Sequence, residues 1–264
     1  MSVDDIEVAF RSFGSGFPLV LVIGLGSSME LWDEGFTGRL AERYCVVTFE
    51  NRGIGGTGRG SEPFTIRRFA ADLAGLLDAL GLERAHLLGY SMGGYIVQEL
   101  ALTQPDRVAG LVLLATDCGQ SGTTSIGPAV LEQLSEARGQ MRPERLKRLL
   151  FPARWLKDNE RALIGAFASY LEGGPDPVVV RKQAEAMAAW KGTCPRLSEL
   201  RAPTLVITGT EDVVITPDNS VVLSEICGAS LVRVEGGGHG LLLQYPRELA
   251  DIVLGFLDGL NPSM

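Results

Sequence analysis

The sequence predicts a three-layer α/β domain with a mostly parallel sheet and an inserted helical cap. Three observations predict it. Short runs rich in Val, Ile and Leu recur along the chain with longer segments of helical periodicity between them. The runs are nearly continuous in apolar residues, as strands covered on both faces must be. One stretch, residues 117–195, breaks the alternation, and the strand pattern resumes beyond it. Strand–helix–strand alternation with parallel neighbours requires right-handed crossovers that place helices on both sheet faces.

In chain order, Val3–Phe10 alternates and reads as an antiparallel edge strand. Leu19–Ile23, Tyr44–Thr48, Ala85–Leu88, Val108–Leu114, Thr204–Thr208 and Ser230–Val234 read as core strands. Phe69–Leu80, Met92–Thr103, Pro217–Cys227 and Arg247–Leu257 carry apolar residues at helical spacing. Gly81 and Pro105 stand where helices stop. Within the break, Pro128–Arg138, Pro143–Leu150, Asp158–Leu171 and Asp176–Trp190 read as short amphipathic helices. The expected division is therefore a core of residues 1–116 and 196–264 with a helical cap over 117–195.

Composition excludes several classes. The 264 residues suit one large domain with an insert. A net charge of −8 argues against nucleic acid and anionic membranes as partners. No run of 18 apolar residues occurs, so no transmembrane helix is expected. Two His and no Cys-x-x-Cys leave little for a metal, and none is expected. The start, Met1-Ser2-Val3-Asp4-Asp5, is acidic where an export signal begins basic. Cys45, Cys118, Cys194 and Cys227 are widely spaced and read as free, packed thiols in a reducing, cytoplasmic compartment, with no disulfide expected.

One motif carries chemistry. Gly89-Tyr90-Ser91-Met92-Gly93-Gly94 lies between the strand Ala85–Leu88 and the helix beginning at Met92. A G-x-S-x-G in strand–turn–helix context is a nucleophile elbow, presenting Ser91 from a strained turn. Ser91 needs a base, and the two candidates are His86 and His239. His86 lies five residues upstream on the same strand, about 16 Å away at roughly 3.3 Å per residue, and reads as a packing residue. His239 stands in Gly236–Gly240, just beyond the last strand, at the carboxyl edge of the sheet where such sites open. Asp212, after the strand Thr204–Thr208, is the preferred acid by the order Ser…Asp…His, with adjacent Glu211 and Asp117 as alternatives. Oxyanion donors are expected from the backbone N–H groups of Met92 and Leu25, the latter in the loop Gly24–Ser28.

Gly53-Ile54-Gly55-Gly56-Thr57-Gly58 matches a dinucleotide-binding pattern, but Arg59-Gly60-Ser61-Glu62-Pro63 follows, which does not start a helix. No cofactor is expected, and Asn51 and Arg52 are expected to hold this loop by hydrogen bonds.

Together, Gly24–Ser28, Glu50-Asn51-Arg52-Gly53-Ile54-Gly55, Gly89–Gly94, Asp212 and His239 resemble the α/β-hydrolase superfamily over nearly the whole chain, with some similarity to 3-oxoadipate enol-lactonases at Gly-Leu-Gly-Ser-Ser and Trp32. The resemblance implies a serine hydrolase that cleaves a small carboxylic ester through an acyl-enzyme, acting as a monomer or homodimer. It leaves open a lactonase, a cofactor-free haloperoxidase or perhydrolase, and a ligand receptor with vestigial hydrolysis. Serine at 91 disfavours the epoxide-hydrolase and dehalogenase branches, whose nucleophile is a carboxylate. Three positions depart from the usual pattern: Ile23 replaces the His of His-Gly, Glu50 the Asp of Asp-x-Arg, and Gln244 an acidic residue after the histidine. For the substrate pocket the cap offers Trp155, Phe167, Tyr170, Met187 and Trp190. Arg138, Arg142 and Arg154 are candidates for a substrate carboxylate, or solvated surface.

Overall fold

A computed structural model describes residues 1–119, 127–139, 143–159, 163 and 174–260. Its centre is a seven-stranded sheet of β3 (Phe10–Phe13), β4 (Pro18–Val22), β5 (Cys45–Phe49), β6 (Ala85–Tyr90), β7 (Val108–Leu114), β8 (Thr204–Gly209) and β9 (Ser230–Val234). The spatial order is β3-β5-β4-β6-β7-β8-β9. Every neighbouring pair is parallel except β3 with β5.

The edge strand differs from the one expected over Val3–Phe10. Ser2–Val3 and Ile6–Glu7 form β1 and β2, a separate two-stranded ribbon, and only from Phe10 does the chain join the main sheet. Asp4, with φ 50, turns the ribbon between its two strands. The alternation in Val3–Phe10 was thus real strand patterning, divided by a turn.

The sheet interior explains why β4 and β6 read as unbroken apolar runs. Leu19, Leu21 and Ile23 face α1 (Glu34–Ala41) and α9 (Pro246–Asp258), while Val20 and Val22 face α2 (Ile66–Ala79) and α3 (Met92–Thr103). A strand buried on both faces has no polar position to alternate with. Thr65 caps α2 by accepting the N–H of Arg68, so this helix begins three residues ahead of the apolar pattern at Phe69. Helix α1, capped by Asp33, has a short apolar stripe that periodicity did not reveal.

Between β7 and β8 the regular structure among the described residues is helical: α4 (Pro128–Gly139), α5 (Pro143–Leu150), a short helical stretch over 153–159, and α6 (Pro177–Ala189). The expected helix Asp158–Leu171 falls mostly outside the described residues. Helices α7 (Pro217–Cys227) and α8 (Leu241–Gln244) complete the chain. No helix among the described residues is long and apolar enough to cross a membrane.

The cysteines require a correction. Cys118 and Cys194 form a disulfide, with Cα atoms 5.0 Å apart, while Cys45 and Cys227 are free. The bond joins the chain entering the insertion to the chain leaving it, across 76 residues of sequence, a proximity that spacing alone could not reveal. Four free thiols therefore no longer argue for a reducing compartment.

Candidate active site

Ser91 sits at the turn between β6 and α3 with φ 55 and ψ −120. A residue with a side chain adopts this left-handed backbone only when its surroundings enforce it. They do so here. A Cβ on Gly89 would lie 2.5 Å from the Gly93 carbonyl oxygen, and one on Gly93 would lie 2.0 Å from that of Val22. The two glycines let β4, β6 and α3 close around the turn, and the Ser91 N–H donates to Leu114 O at 3.0 Å. Thr116 Oγ1 donates to the Ser91 carbonyl from the neighbouring strand end.

His239 Nε2 lies 3.0 Å from Ser91 Oγ, and His239 Nδ1 lies 2.8 Å from Asp212 Oδ2. Ser91, His239 and Asp212 are 4%, 1% and 2% exposed, so both hydrogen bonds are shielded from water. Asp212 is held independently, because its Oδ1 accepts the N–H groups of Val214 and Ile215 at 2.8 and 2.9 Å. One carboxylate oxygen anchors the loop while the other remains for the imidazole.

The alternative acids lie elsewhere. Glu211 is exposed, and its own N–H donates to Gly237 O. Asp117 is fully buried on Tyr95, with Oδ1 accepting the Gly119 N–H at 2.8 Å. Burial, followed by the Asp117 carboxylate, pushes the Tyr95 hydroxyl well above its ordinary pKa. His86 packs between the rings of Phe17 and Tyr44 at the opposite end of β6.

The histidine loop is braced from three sides. Tyr90 Oη donates to the His239 carbonyl at 2.9 Å, and the Gly240 N–H donates to Leu150 O at 2.7 Å. Gln244, at the position where an acidic residue is usual, accepts the Gly238 N–H at 2.7 Å and donates to Gly236 O at 3.2 Å. An amide does both; a carboxylate could only accept.

The glycine loop lies on the other side of Ser91. A Cβ on Gly24 would be 3.6 Å from Ser91 Oγ, which brings the backbone leading to Leu25 beside the serine. Asn51 Nδ2 donates to Ile23 O at 3.0 Å and holds the base of this loop. The Gly53–Gly58 run is a compact turn, with the Gly53 N–H on Gly58 O and the Gly56 N–H on Glu50 Oε2. No helix opens on it before Ile66. Arg52 is buried between Asp72 and Asp5. Glu50 is buried, and the desolvation raises its carboxyl pKa, while the Gly56 N–H works in the opposite direction. Among the described residues no group of His, Cys, Asp and Glu is arranged to hold a metal.

Among the described residues, the segment between β7 and β8 reaches the face around Ser91 and His239 through Phe151 and through α6. Phe151 covers the histidine loop, with its ring where a Cβ on Gly240 would stand, and Trp155 stacks on Phe151 at 5.1 Å. From α6, Gln183 Oε1 accepts the Gly26 N–H at 2.8 Å. Met187 is buried on the same helix. Trp190 lies further back, stacked on Tyr95 at 4.3 Å and donating Nε1 to Glu99 at 2.8 Å. Phe167 and Tyr170 lie outside the described residues, as do Arg142 and the side chain of Arg138; Arg154 is exposed. Sequence reasoning overlooked Tyr90, Gln183 and the bracing role of Gln244. Only Gln183 left a trace, as a lone amide among Val179, Val180 and Met187 on an otherwise apolar helix face.

A family model described as alpha/beta hydrolase fold matches residues 18–246. The chain is 30% identical to a protein of Azorhizobium caulinodans that bears the name carbamate hydrolase RutD, over 96% of this chain and 95% of that one. A thermophilic esterase from Thermogutta terrifontis superposes with a TM-score of 0.85 at 26% identity, covering 97% of this chain and 95% of the other. The enol-lactonase from Burkholderia xenovorans shares the fold, with a TM-score of 0.83 at 24% identity over 97% and 98% of the two chains.

Proposed function

The chain belongs to the alpha/beta hydrolase fold family, and from that premise we propose that it cleaves a small carboxylic ester through an acyl-enzyme, with Ser91, His239 and Asp212 as the triad. The observation that carries this reading is the unbroken pair of buried hydrogen bonds, Ser91 Oγ to His239 Nε2 and His239 Nδ1 to Asp212 Oδ2. A neutral imidazole placed this way takes the serine proton as Oγ attacks the carbonyl, and the carboxylate stabilises the imidazolium that forms. His239 then returns the proton to the leaving alkoxide. Water attacks the acyl-enzyme with His239 again as base, which restores Ser91.

The negative charge that develops on the carbonyl oxygen needs donors, which the reading assigns to the backbone N–H groups of Met92, at the start of α3, and Leu25, in the glycine loop. Each such donor is worth roughly 3–4 kcal/mol of transition-state stabilisation. Residues 117–195 act as a cap over the core of 1–116 and 196–264. Through Phe151, Trp155 and Met187 the cap would give the site an apolar wall suited to an alkyl group.

A second reading is hydrolysis of a carbamate, favoured by the 30% identity to the Azorhizobium protein. The same steps would then release the alcohol and leave a carbamoyl-serine, whose hydrolysis gives a carbamic acid that loses CO2 to yield the amine. The test is hydrolysis of p-nitrophenyl esters of increasing chain length beside lactone and carbamate panels, with wild type, Ser91→Ala and His239→Ala. Each variant is expected to lose at least about a thousandfold in kcat on the best substrate. Undiminished turnover by Ser91→Ala would overturn the acyl-enzyme reading. Carbamates cleaved faster than every ester would replace the first reading with the second.

A further inference from the structure

Gln183 stands out among the residues of the insertion. Helix α6 turns Val179, Val180, Ala186 and Met187 into the protein, and Gln183, at 0% exposure, shares that buried face. A buried primary amide is costly unless its hydrogen-bonding groups are used. Half of this one is used: Oε1 accepts the Gly26 N–H at 2.8 Å. That contact fixes the amide's orientation, since the flipped form would set an NH2 group against an N–H. The remaining group, Nε2, is buried with two hydrogens to donate and has no hydrogen-bond partner among the described residues.

Its location follows from covalent geometry. Nε2 lies about 2.2 Å from Oε1 within the planar amide, hence within about 5 Å of the Gly26 nitrogen. Gly26 is one residue beyond Leu25 and two beyond Gly24, which abuts Ser91. Gly26 also lines a cleft of about 540 Å³ between the glycine loop, the Glu50–Arg59 turn and the start of α6 at Asp176. The unmet donor therefore stands at the glycine loop, on a helix outside the core, next to the backbone that borders the nucleophile.

We propose that Gln183 is the specificity residue of this site: Oε1 holds the glycine loop through Gly26, and Nε2 donates to an acceptor oxygen in the acyl part of the substrate. The inference rests on Ser91 being the nucleophile, and it narrows the substrate class. The preferred substrates carry an ether, hydroxyl or keto oxygen a few atoms from the scissile carbonyl, rather than a plain alkyl chain. A site built to hydrogen-bond such an oxygen discriminates strongly against the analogue without it, because the site's own donor is then left unpaired.

The test uses matched p-nitrophenyl esters in which one methylene is replaced by oxygen: methoxyacetate against butanoate, and 3-methoxypropanoate against pentanoate. The quantity read is the oxygen-to-methylene ratio of kcat/KM. Comparing that ratio between wild type and variant cancels both the intrinsic reactivity of the esters and the fraction of enzyme folded, so a purely structural role for Gln183 would leave it unchanged. Gln183→Met, close in shape and without donor or acceptor, is expected to lower the ratio about tenfold for at least one pair. It should also reduce kcat on the plain esters several-fold through the loop. Gln183→Glu at alkaline pH keeps an acceptor for Gly26 but no donor, so the ratio should fall while kcat on plain esters stays nearer wild type; it carries the test if the Met variant does not fold. Ratios unchanged in both variants, with Ser91→Ala inactive, would overturn this inference and leave the proposed function standing. Activity that survives in Ser91→Ala would instead remove the reading on which it rests.

Discussion

Helix α3 serves two buried polar regions built on different principles. Its start carries the Ser91 turn, where backbone decides the geometry: Ser91 at φ 55 and glycines at 89 and 93 that no side chain could replace without collision. Two turns on, it carries the neck of the insertion, where side chains decide it. Gln98 donates Nε2 to Asp117 O at 2.8 Å and accepts the Thr193 hydroxyl, while Glu99 accepts from Trp190 Nε1 and Arg196. The Cys118–Cys194 bond and the contact of Gly119 with Gly192, where a Cβ would come within 2.4 Å of the opposite Cα, close the neck. A site placed by backbone strain leaves a local signature in sequence. A neck assembled from residues up to 97 positions apart leaves none.

The strongest way to break this comparison is to exchange the roles of its two buried aspartates. Asp212 faces His239, whereas Asp117 belongs to the neck beside Tyr95. Asp212→Asn should lower kcat about 10⁴-fold with little change in melting temperature, since the amide would favour the wrong imidazole tautomer. Asp117→Asn should leave the triad hydrogen bonds intact and show its effect mainly as lost stability. Paired kcat and thermal-melt measurements decide the matter: a collapse of kcat in Asp117→Asn with Asp212→Asn near wild type would transfer the acid role to the neck.

That division also accounts for what the sequence disclosed. Core strands β4 to β8 were legible because burial on both faces leaves runs of Val, Leu and Ile. The placement of Ser91, Asp212 and His239 at one carboxyl edge was legible because each follows a strand, two of them among glycines. The preference for Asp212 over Glu211 and Asp117 rested on chain order alone, because which carboxylate approaches the imidazole is decided in space. The disulfide was misread because Cys118 and Cys194 each sit in ordinary apolar surroundings, and only the return of the chain after the insertion makes them neighbours. Gln183 was passed over because a single amide on a helix face weighs little against the apolar residues around it.

A smaller effect sharpens the comparison from the side of the neck. Replacing both Cys118 and Cys194 by Ala removes a cross-link spanning 76 residues, a change worth about 2–4 kcal/mol in loop-closure terms. In a chain of this size that corresponds to a drop in melting temperature of about 5–10 °C. Because no triad hydrogen bond passes through either cysteine, kcat measured well below the melt should remain within about threefold of wild type. A loss of kcat as large as that of Asp212→Asn would mean that neck and catalytic face are mechanically one unit.

The smallest expected effect tests the far end of β6, the strand whose other end leads into the elbow. Burial, with a smaller contribution from nearby Arg84, lowers the His86 pKa from 6.5 to about 4. The folded protein therefore keeps this imidazole neutral at pH values where the unfolded chain protonates it. Stability is fully present above about pH 6.5, falls as the pH drops toward 4 because the unfolded state binds the extra proton, and levels off below that. The loss attributable to His86 is at most roughly 3–4 kcal/mol, the free-energy equivalent of the shift. His86→Leu should flatten this part of the stability curve, read from denaturant midpoints between pH 7 and 4, since the carboxylates that titrate in the same range are common to both proteins. It should leave the pH dependence of kcat unmoved, because five residues of strand separate His86 from Ser91, about 16 Å at the rise of an extended chain. Parallel stability curves for wild type and variant would show that His86 does not set this acid window. A shifted kcat profile would show instead that the two ends of β6 are coupled, which its rigid, doubly covered position in the sheet argues against.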